Sequence, residues 1–522
     1  MVDTSLIIGL VPFTPVLAAF ALPVVYLASR NRAVVFAYTS AVLLVVFALS
    51  TLVAIDALAS DYPLVFKAGG WPAPIGIVYV VDKFTSVVAA VSALILFLVS
   101  VYSISYITDE GYPWYAALLL GLSSGILGVT YTGDAFNLFV MLEVTGVAAY
   151  SLVMYYMRRA DSLVSGLKYA FIGALGTTLY LLAMGLTYGV FGTLNFADMS
   201  LKLRAANSEY AYIGYGLIMV TAFWAFSIKS GVFPNHFWLP DAHPAAPTPI
   251  SALLSGLVVN TGIIGLYRFL YVVSWSAPQS PLPAPLEAVK SFISLLAIGT
   301  GAVSAFFGGL LMFVQNDIKR LIAYSTIMNL GFLFMAAGCA TQHGLSALLF
   351  YVVVHSIAKA VLFLSAGVFI KAAGTRNLDR LSGLGPRYPV AGFALAVSAL
   401  TLAGLPPLPG FFAKILLYEA LFEYNIALAI LMVVASAVGL ISYMRLVYTI
   451  LLGVPVTKPL PLQMRLAKAS LLVSSLVLIA LGMAFLAAPL SVVSQLHEVA
   501  SQVTTNAYSY IKYLEETLLK LT

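Results

Sequence analysis

Residues Ile228–Leu254 read IKSGVFPNHFWLPDAHPAAPTPISALL. The apolar run Ile218–Ile228 ends in Lys229, and Gly231 and Pro234 then break the helix. His236, Asp241 and His243 follow among four prolines (Pro240, Pro244, Pro247 and Pro249), and a second apolar run begins at Ile250. A charge at membrane depth costs several kcal/mol, about 3 on insertion scales, so it is kept where it has work or a partner. Irregular backbone is tolerated within a bilayer where it is buried in protein or lines a polar cavity. A lysine, a break and two histidines in one stretch therefore point to an ion or proton path through a membrane.

The rest of the chain supplies that membrane setting. Its 522 residues are 61% hydrophobic and 9% charged, too little charge to cover a soluble protein of this length. About 20 apolar residues span a bilayer, and about 14 such segments can be counted. They lie near 5–28, 34–55, 84–106, 114–132, 135–157, 163–190, 211–231, 250–273, 291–314, 319–339, 345–371, 389–421, 426–452 and 468–489. The segment 389–421 is interrupted between Gly404 and Gly410, with Lys414 one turn later. The expected fold is an all-α polytopic membrane protein with about 14 transmembrane helices. Two of the helices are broken, a signature of internal repeats with sites near the midplane.

The net charge of +6 does not signal nucleic acid, because the basic residues are sorted by loop. Arg30, Arg32, Arg158, Arg159, Lys319, Arg320, Lys371, Arg376, Arg380, Arg387, Lys458, Arg465 and Lys468 follow odd-numbered segments. Loops after even-numbered segments hold chiefly Lys67, Lys83, Lys202, Arg204 and Lys290. The positive-inside rule then gives a multi-pass cell-membrane protein with both termini outside. The N-terminus lacks a basic leader and reads as a first membrane helix.

The single cysteine, Cys339, cannot by itself build a disulfide, a zinc site or an iron–sulfur cluster. No GxGxxG opens a βα unit. No metal and no cofactor is expected in this chain, and redox chemistry would belong to partner subunits. In the tail, Val492, Leu496, Val499, Val503, Ile511, Leu514 and Leu518 recur at helical steps. They mark an amphipathic helix on the outer membrane surface or against a partner.

The ionisable residues divide by depth. Glu143 lies mid-span, where a carboxylate either pairs with a base or takes up a proton. Lys229, Lys359 and Lys414 are the buried bases, with His355 one turn before Lys359 on the same helix face. His236 and His243 either relay protons or satisfy backbone groups freed by the prolines. Asp134 begins its helix, where the dipole alone favours an acid, and the other reading makes it, like His355, a possible relay. Arg268 and Arg445 lie near span ends and read as snorkelling side chains. Lys168 lies close to Arg158, Arg159 and Asp161, and its role is open.

Five stretches together carry a resemblance. KSGVFPNHFWLPDAHPAAPTPISALLSG (229–256), NDIKRLIAYSTIMNLG (316–331), HSIAKAVLFLSAG (355–367) and LAGLPPLPGFFAKILLYEAL (402–421) resemble the antiporter-like subunits of respiratory complex I, Mrp cation/proton antiporters and membrane-bound hydrogenases. TGDAFNLFVMLE (132–143) looks most like the D-type Mrp subunit and its hydrogenase relatives. The resemblance implies two inverted five-helix repeats, each holding half of a proton path. It divides the chain into N-terminal helices (1–113), a first repeat (114–274), a second repeat (289–452), a last transmembrane helix (453–489) and a C-terminal amphipathic helix (490–522). It pairs Glu143 with Lys229, and makes Lys359 and Lys414 the second-half and terminal lysines. Asn260, in SGLVVNTGIIGLYR, stands where the family usually carries a central lysine, so the wire between the halves is in question. The implied function is a proton- or cation-translocating subunit of a multi-subunit complex. Its partners would be other membrane subunits and the lipid bilayer, with protons as cargo and sodium as a second candidate. The alternative is a self-sufficient secondary cation/proton antiporter.

Overall fold

The computed structural model describes residues 4–71, 75–275 and 281–519, with side chains from Ser5 to Thr504 within them. The first half contains α1 (Thr4–Ser29), α2 (Arg32–Ala59), α3 (Lys83–Tyr106), α4 (Tyr112–Tyr131), α5 (Ala135–Val153), α6 (Ala160–Phe191), α7 (Phe196–Ala205), α8 (Glu209–Ser230) and α9 (Leu239–Ala245). Next come α10 (Thr248–Leu253) and α11 (Asn260–Tyr267), which run on through wide π-helical turns at Leu254–Val258 and Arg268–Val273. Thr248–Val273 therefore crosses as one unit. The second half holds α12 (Ala284–Phe313), α13 (Ile318–Gly338), α14 (Gln342–Ala373), α15 (Pro389–Ala403), α16 (Pro409–Tyr424), α17 (Ile426–Leu452) and α18 (Arg465–Ala487), and α19 (Pro489–Leu519) ends the chain.

Thirteen helical segments among the described residues are long and apolar enough to cross a membrane. α15 and α16, 15 and 16 residues long, flank the second break, and each is shorter than a crossing of about 20 residues. The expected multi-pass helical fold is thus observed. Side-chain caps start several helices. Asp82 and Thr85 form a capping box on α3, while Asp317 and Thr341 cap α13 and α14. Polar caps belong there because the first N–H groups of a helix have no intrahelical partner.

Burial sorts the bundle. The apolar stretches of Thr248–Val273 and α14 are wholly buried and that of α13 is 94% buried, whereas α2, α6, α17 and α18 leave most of their surface uncovered by the rest of the chain. The three buried helices are the centre, and the buried polar side chains collect around them. On the basic face, the cations cap carbonyls. Arg32 donates to Ile104 O and Ile107 O, and Lys371 donates to Ser105 O and Tyr106 O. Arg376 pairs with Asp317 at 3.0 Å. Such contacts satisfy helix C-termini and complement their dipoles.

Three features differ from expectation. A short antiparallel hairpin, β1 (Leu64–Lys67) with β2 (Val78–Val81), lies on the opposite face. Four-residue apolar runs are too short to read as strands from periodicity. Arg268 does not snorkel: it is 1% exposed, pairs with Asp82 at 3.0 Å and donates to Val80 O. Its carboxylate partner lies far away in sequence, so position near a span end was a poor guide. Arg445 does reach the span ends, donating to Phe313 O and Asn316 Oδ1. Finally, α19 lies across the chain's own helix ends. Ala500 and Val503 are buried, Ser346 Oγ donates to Leu496 O, and Gln342 donates to Thr504 Oγ1. Its apolar residues up to Val503 pack toward α14, α3 and α7. The side chains of Ile511, Leu514 and Leu518 fall outside the described residues.

Candidate functional site

In the first half, α5 carries Glu143 and, seven residues on and so on the same face, Tyr150. Lys229, in the last turn of α8, donates to Tyr150 Oη at 3.4 Å. Glu143 is half-buried and makes no ion pair within 4.0 Å among the described residues, although Lys229 lies within its electrostatic reach. The two charges expected to pair do not touch, and the phenol of Tyr150 is what Lys229 meets. Tyr150 packs edge-on to Tyr169, which stacks on Trp238 with ring centroids 4.1 Å apart. Trp238 Nε1 in turn donates to Ile228 O, one of the carbonyls freed by the break.

The break itself is built by Gly231, at φ 67°, whose N–H returns to Ser227 O and Ile228 O. Only glycine adopts that left-handed conformation cheaply. The chain then turns into α9, where Asp241 accepts from Lys168 and Arg320, both at 2.6 Å. Burial of Asp241 opposes ionisation, but the two cations outweigh it and hold its carboxyl below the ordinary value. Lys168 is thus a surface clamp on the broken helix. His236 stacks on Phe233 at the exposed edge of the bundle and is not brought against the lysines.

At the centre, Asn260 is buried, donating to Gly256 O at 2.7 Å and to Ser356 Oγ at 2.9 Å. Its Oδ1 has no partner. Ser356 stands on α14 beside His355 and three residues before Lys359, so Asn260 faces the helix that carries the second lysine. Lys359 is fully buried and donates to Ser325 Oγ and Ile322 O of α13. His355 is fully buried with both ring nitrogens unpartnered.

Beyond Lys359 the polar side chains continue. Asn329, one turn after Ser325, donates to Tyr443 Oη at 3.0 Å and accepts from Tyr351 Oη at 2.9 Å. Tyr351 stacks on Phe332, and Lys414 lies over that same ring at 5.4 Å. Lys414 Nζ donates to Ala403 O at 3.0 Å, the carbonyl freed by the second break. His243 is fully buried, stacked on Phe363, with both nitrogens unpartnered. Asp134 stands apart as the cap of α5, accepting from Asn137 N–H. Burial pushes its carboxyl up to about 6, against the stabilising N–H groups of Asn137 and Phe136.

Tyr150, Ser325, Asn329, Tyr351 and Tyr443 were not singled out in the sequence. Their signal was present but weak: the NDIKRLIAYSTIMNLG stretch puts Ser325 and Asn329 one turn apart in an apolar helix. Together with the charged residues they form a discontinuous row of buried polar groups from α5 to α16. Neutral acceptors hold all three lysines. No carboxylate lies within 4.0 Å of any of them among the described residues.

Comparison with known proteins agrees with this architecture. The family described as "NADH:quinone oxidoreductase/Mrp antiporter, TM" matches residues 132–439, which contain all the lysines of the row. Over 392 residues the chain is 33% identical to the D-type subunit of the Na(+)/H(+) antiporter of Alkalihalophilus pseudofirmus, covering 72% of this chain and 73% of that protein. It is 30% identical over 380 residues to the N-type subunit of the NADH-quinone oxidoreductase of Desulforudis audaxviator, covering 72% and 73%. A chain in the solved structure of the membrane-bound sulfane sulfur reductase, an archaeal respiratory membrane complex, superposes with a TM-score of 0.86 at 26% identity. The match spans 97% of this chain and 99% of that one. On the matched span and these identities, the chain belongs to the NADH:quinone oxidoreductase/Mrp antiporter transmembrane family.

Proposed function

We propose that this chain is a cation/proton-translocating subunit of a multi-subunit membrane complex, and that Glu143, Lys229, Lys359 and Lys414 carry the protons. The observation that carries the reading is the environment of the lysines: each is buried and met only by hydroxyl or carbonyl oxygen. The protonation of such a group is set by charges that arrive at or leave its surroundings. Charge movement at one lysine then biases the next. Tyr150, bonded to Lys229 and within the field of Glu143, stands between the two charges, and Ser325, Asn329, Tyr351 and Tyr443 bridge the space between Lys359 and Lys414. Asn260 donates hydrogen bonds but takes up no proton, so the halves communicate across it by field or by water. Residues 114–274 and 289–452 would be the two half-paths, the basic face would be cytoplasmic and both termini outside. The relatives' names, which include a component of a Na(+)/H(+) antiporter, support sodium as the exchanged ion. The half-exposed Glu143 and the exposed Phe136 and Val147 on α5 suit a face covered by another membrane subunit.

The test is Lys359→Met in the assembled complex. Methionine fills the space without a charge, so subunit yield is expected to hold while proton flux in vesicles falls at least tenfold. Flux retained at more than half would remove Lys359, and with it the row, from the path.

A further inference from the structure

The basic face holds a cavity of 390 Å³ between the two halves, lined by Tyr106, Tyr156, Arg159, Thr375 and Arg376, with Lys319 at its inner end. Lys319 follows the loop residue Asp317 and by sequence belongs with the surface cations, yet it is only 3% exposed. Its Nζ turns inward and donates to Ala246 O at 2.7 Å, Ser251 Oγ at 3.2 Å and His243 O at 3.3 Å. The nearby carboxylate is engaged elsewhere: Asp317 Oδ2 pairs with Arg376, and Oδ1 accepts the backbone N–H groups of Lys319 and Arg320. Arg159 and Arg376 add positive charge around the same ammonium.

Beside Lys319 lies the His243 imidazole, fully buried, with a backbone contact to Ser251 and no well-formed hydrogen bond on either nitrogen. It is within electrostatic reach of both Lys319 and Lys359, and it stacks on Phe363, one turn after Lys359 on α14. Buried polar atoms of this kind are where water binds, given room and partners. The cavity thus meets Lys319, Lys319 meets the His243 backbone, and His243 packs against the helix that carries Lys359. Asn260 makes its hydrogen bonds to Gly256 O and Ser356 Oγ and to none of these three residues.

We infer that Lys319 is a further proton-carrying residue, feeding Lys359 from the basic face through His243 and so bypassing Asn260. The inference rests on the proposed proton path and names its entrance. In each passage the Lys319 ammonium gives one proton, through water, to one nitrogen of His243. The imidazolium releases the proton on its other nitrogen to a neutral Lys359, Lys319 is reprotonated from water in the cavity, and the neutral ring flips to restore its starting tautomer. Each transfer breaks one N–H bond and forms one, and no other reactant is needed.

Arginine separates this role from a structural one. Lys319→Arg keeps a cation and its donors but does not deprotonate, and Lys319→Gln keeps donors without charge. If Lys319 only clamps the backbone around His243 and Ala246, at least one of these should restore transport. If it carries protons, both lower flux at least tenfold. Flux above half in either assembled Lys319 variant would overturn the inference. Should neither assemble, Thr375→Cys provides the decision in an otherwise native complex. The natural Cys339 is buried, so a bulky thiol reagent added on the basic face will label the cavity. Labelling is expected to block flux, and unchanged flux in the labelled complex would overturn the inference. Lys359→Met run in parallel keeps the two questions apart. If it is inactive while Lys319→Arg is active, only the entrance is wrong; if both are active, the path itself is.

Discussion

The breaks after α8 and after α15 begin alike and then diverge. In each, a glycine in the left-handed region ends the helix (Gly231 at φ 67°, Gly404 at φ 83°) and its N–H returns to carbonyls one turn back. At the first break an aromatic N–H completes the job: Trp238 takes Ile228 O, and Asn235 ties to Ser227. Lys229 is left free to reach across to Tyr150 on α5. At the second break the lysine itself is the cap, because Lys414 Nζ takes Ala403 O. One lysine stands beside a backbone that holds without it, whereas the other is part of what holds. A proton lost from Lys229 changes the field at Glu143 and Tyr150. On the proposed path, a proton lost from Lys414 would also weaken the bond that seats the broken helix and so couple titration to the backbone in the second half.

Neutral replacements should expose that contrast most strongly. Lys229→Met and Lys414→Met are both expected to lower proton flux at least tenfold. Only Lys414→Met should also lower the stability of the complex, by about 1–3 kcal/mol, because Ala403 O loses its donor. Flux assays in vesicles together with thermal unfolding of the purified complex measure both. Equal unfolding temperatures would break the comparison.

A smaller effect should follow from the glycines. A Cβ at either position meets the left-handed penalty of about 1–2 kcal/mol. At Gly404 that Cβ would also sit 2.8 Å from Lys414 Cδ, whereas at Gly231 its nearest neighbour is Leu239 Cδ1 at 2.9 Å. Gly404→Ala is therefore expected to lose flux beyond its loss of yield, and Gly231→Ala to lose yield alone. Flux per assembled complex distinguishes the two, and equal values would show that Gly404 does not position Lys414.

The smallest effect belongs to Asp134, which lies outside both breaks. Its folded carboxyl, at about 6, stands above the ordinary 3.8, so the folded state holds this proton more tightly than the unfolded one. The ionised group is a burden above pH 6 that is relieved as pH falls toward 4. Asparagine keeps the cap without the charge. Asp134→Asn is expected to preserve flux and to flatten the rise in stability between pH 7 and pH 5. Lost flux would instead give Asp134 a place in the path.

The sequence made the charged half of the site legible, because a lone lysine in an apolar run has a large desolvation cost and stands out. Serine, asparagine and tyrosine do not. Ser325 also bonds Ile322 O in its own helix, so its presence at membrane depth costs little and advertises nothing. Lys319 was hidden for a different reason: beside Arg320 at a span boundary it looks like one more loop cation, and only the folded chain shows its Nζ turned inward. The pairing of Arg268 with Asp82 and the gap between Glu143 and Lys229 are likewise matters of tertiary geometry. The breaks were the reverse case, since glycine and proline restrict backbone conformation locally and can be read without the fold.

The most direct measurement compares Glu143→Gln, Lys229→Met and the double variant for proton flux and subunit yield in the assembled complex. If the two residues carry protons, the double variant assembles normally and stays at least tenfold below wild-type flux, since removing both charges restores no titrating group. If they only stabilise the fold, neutralising both together restores what either single change loses. Full flux in the double variant would contradict the proton-carrying role.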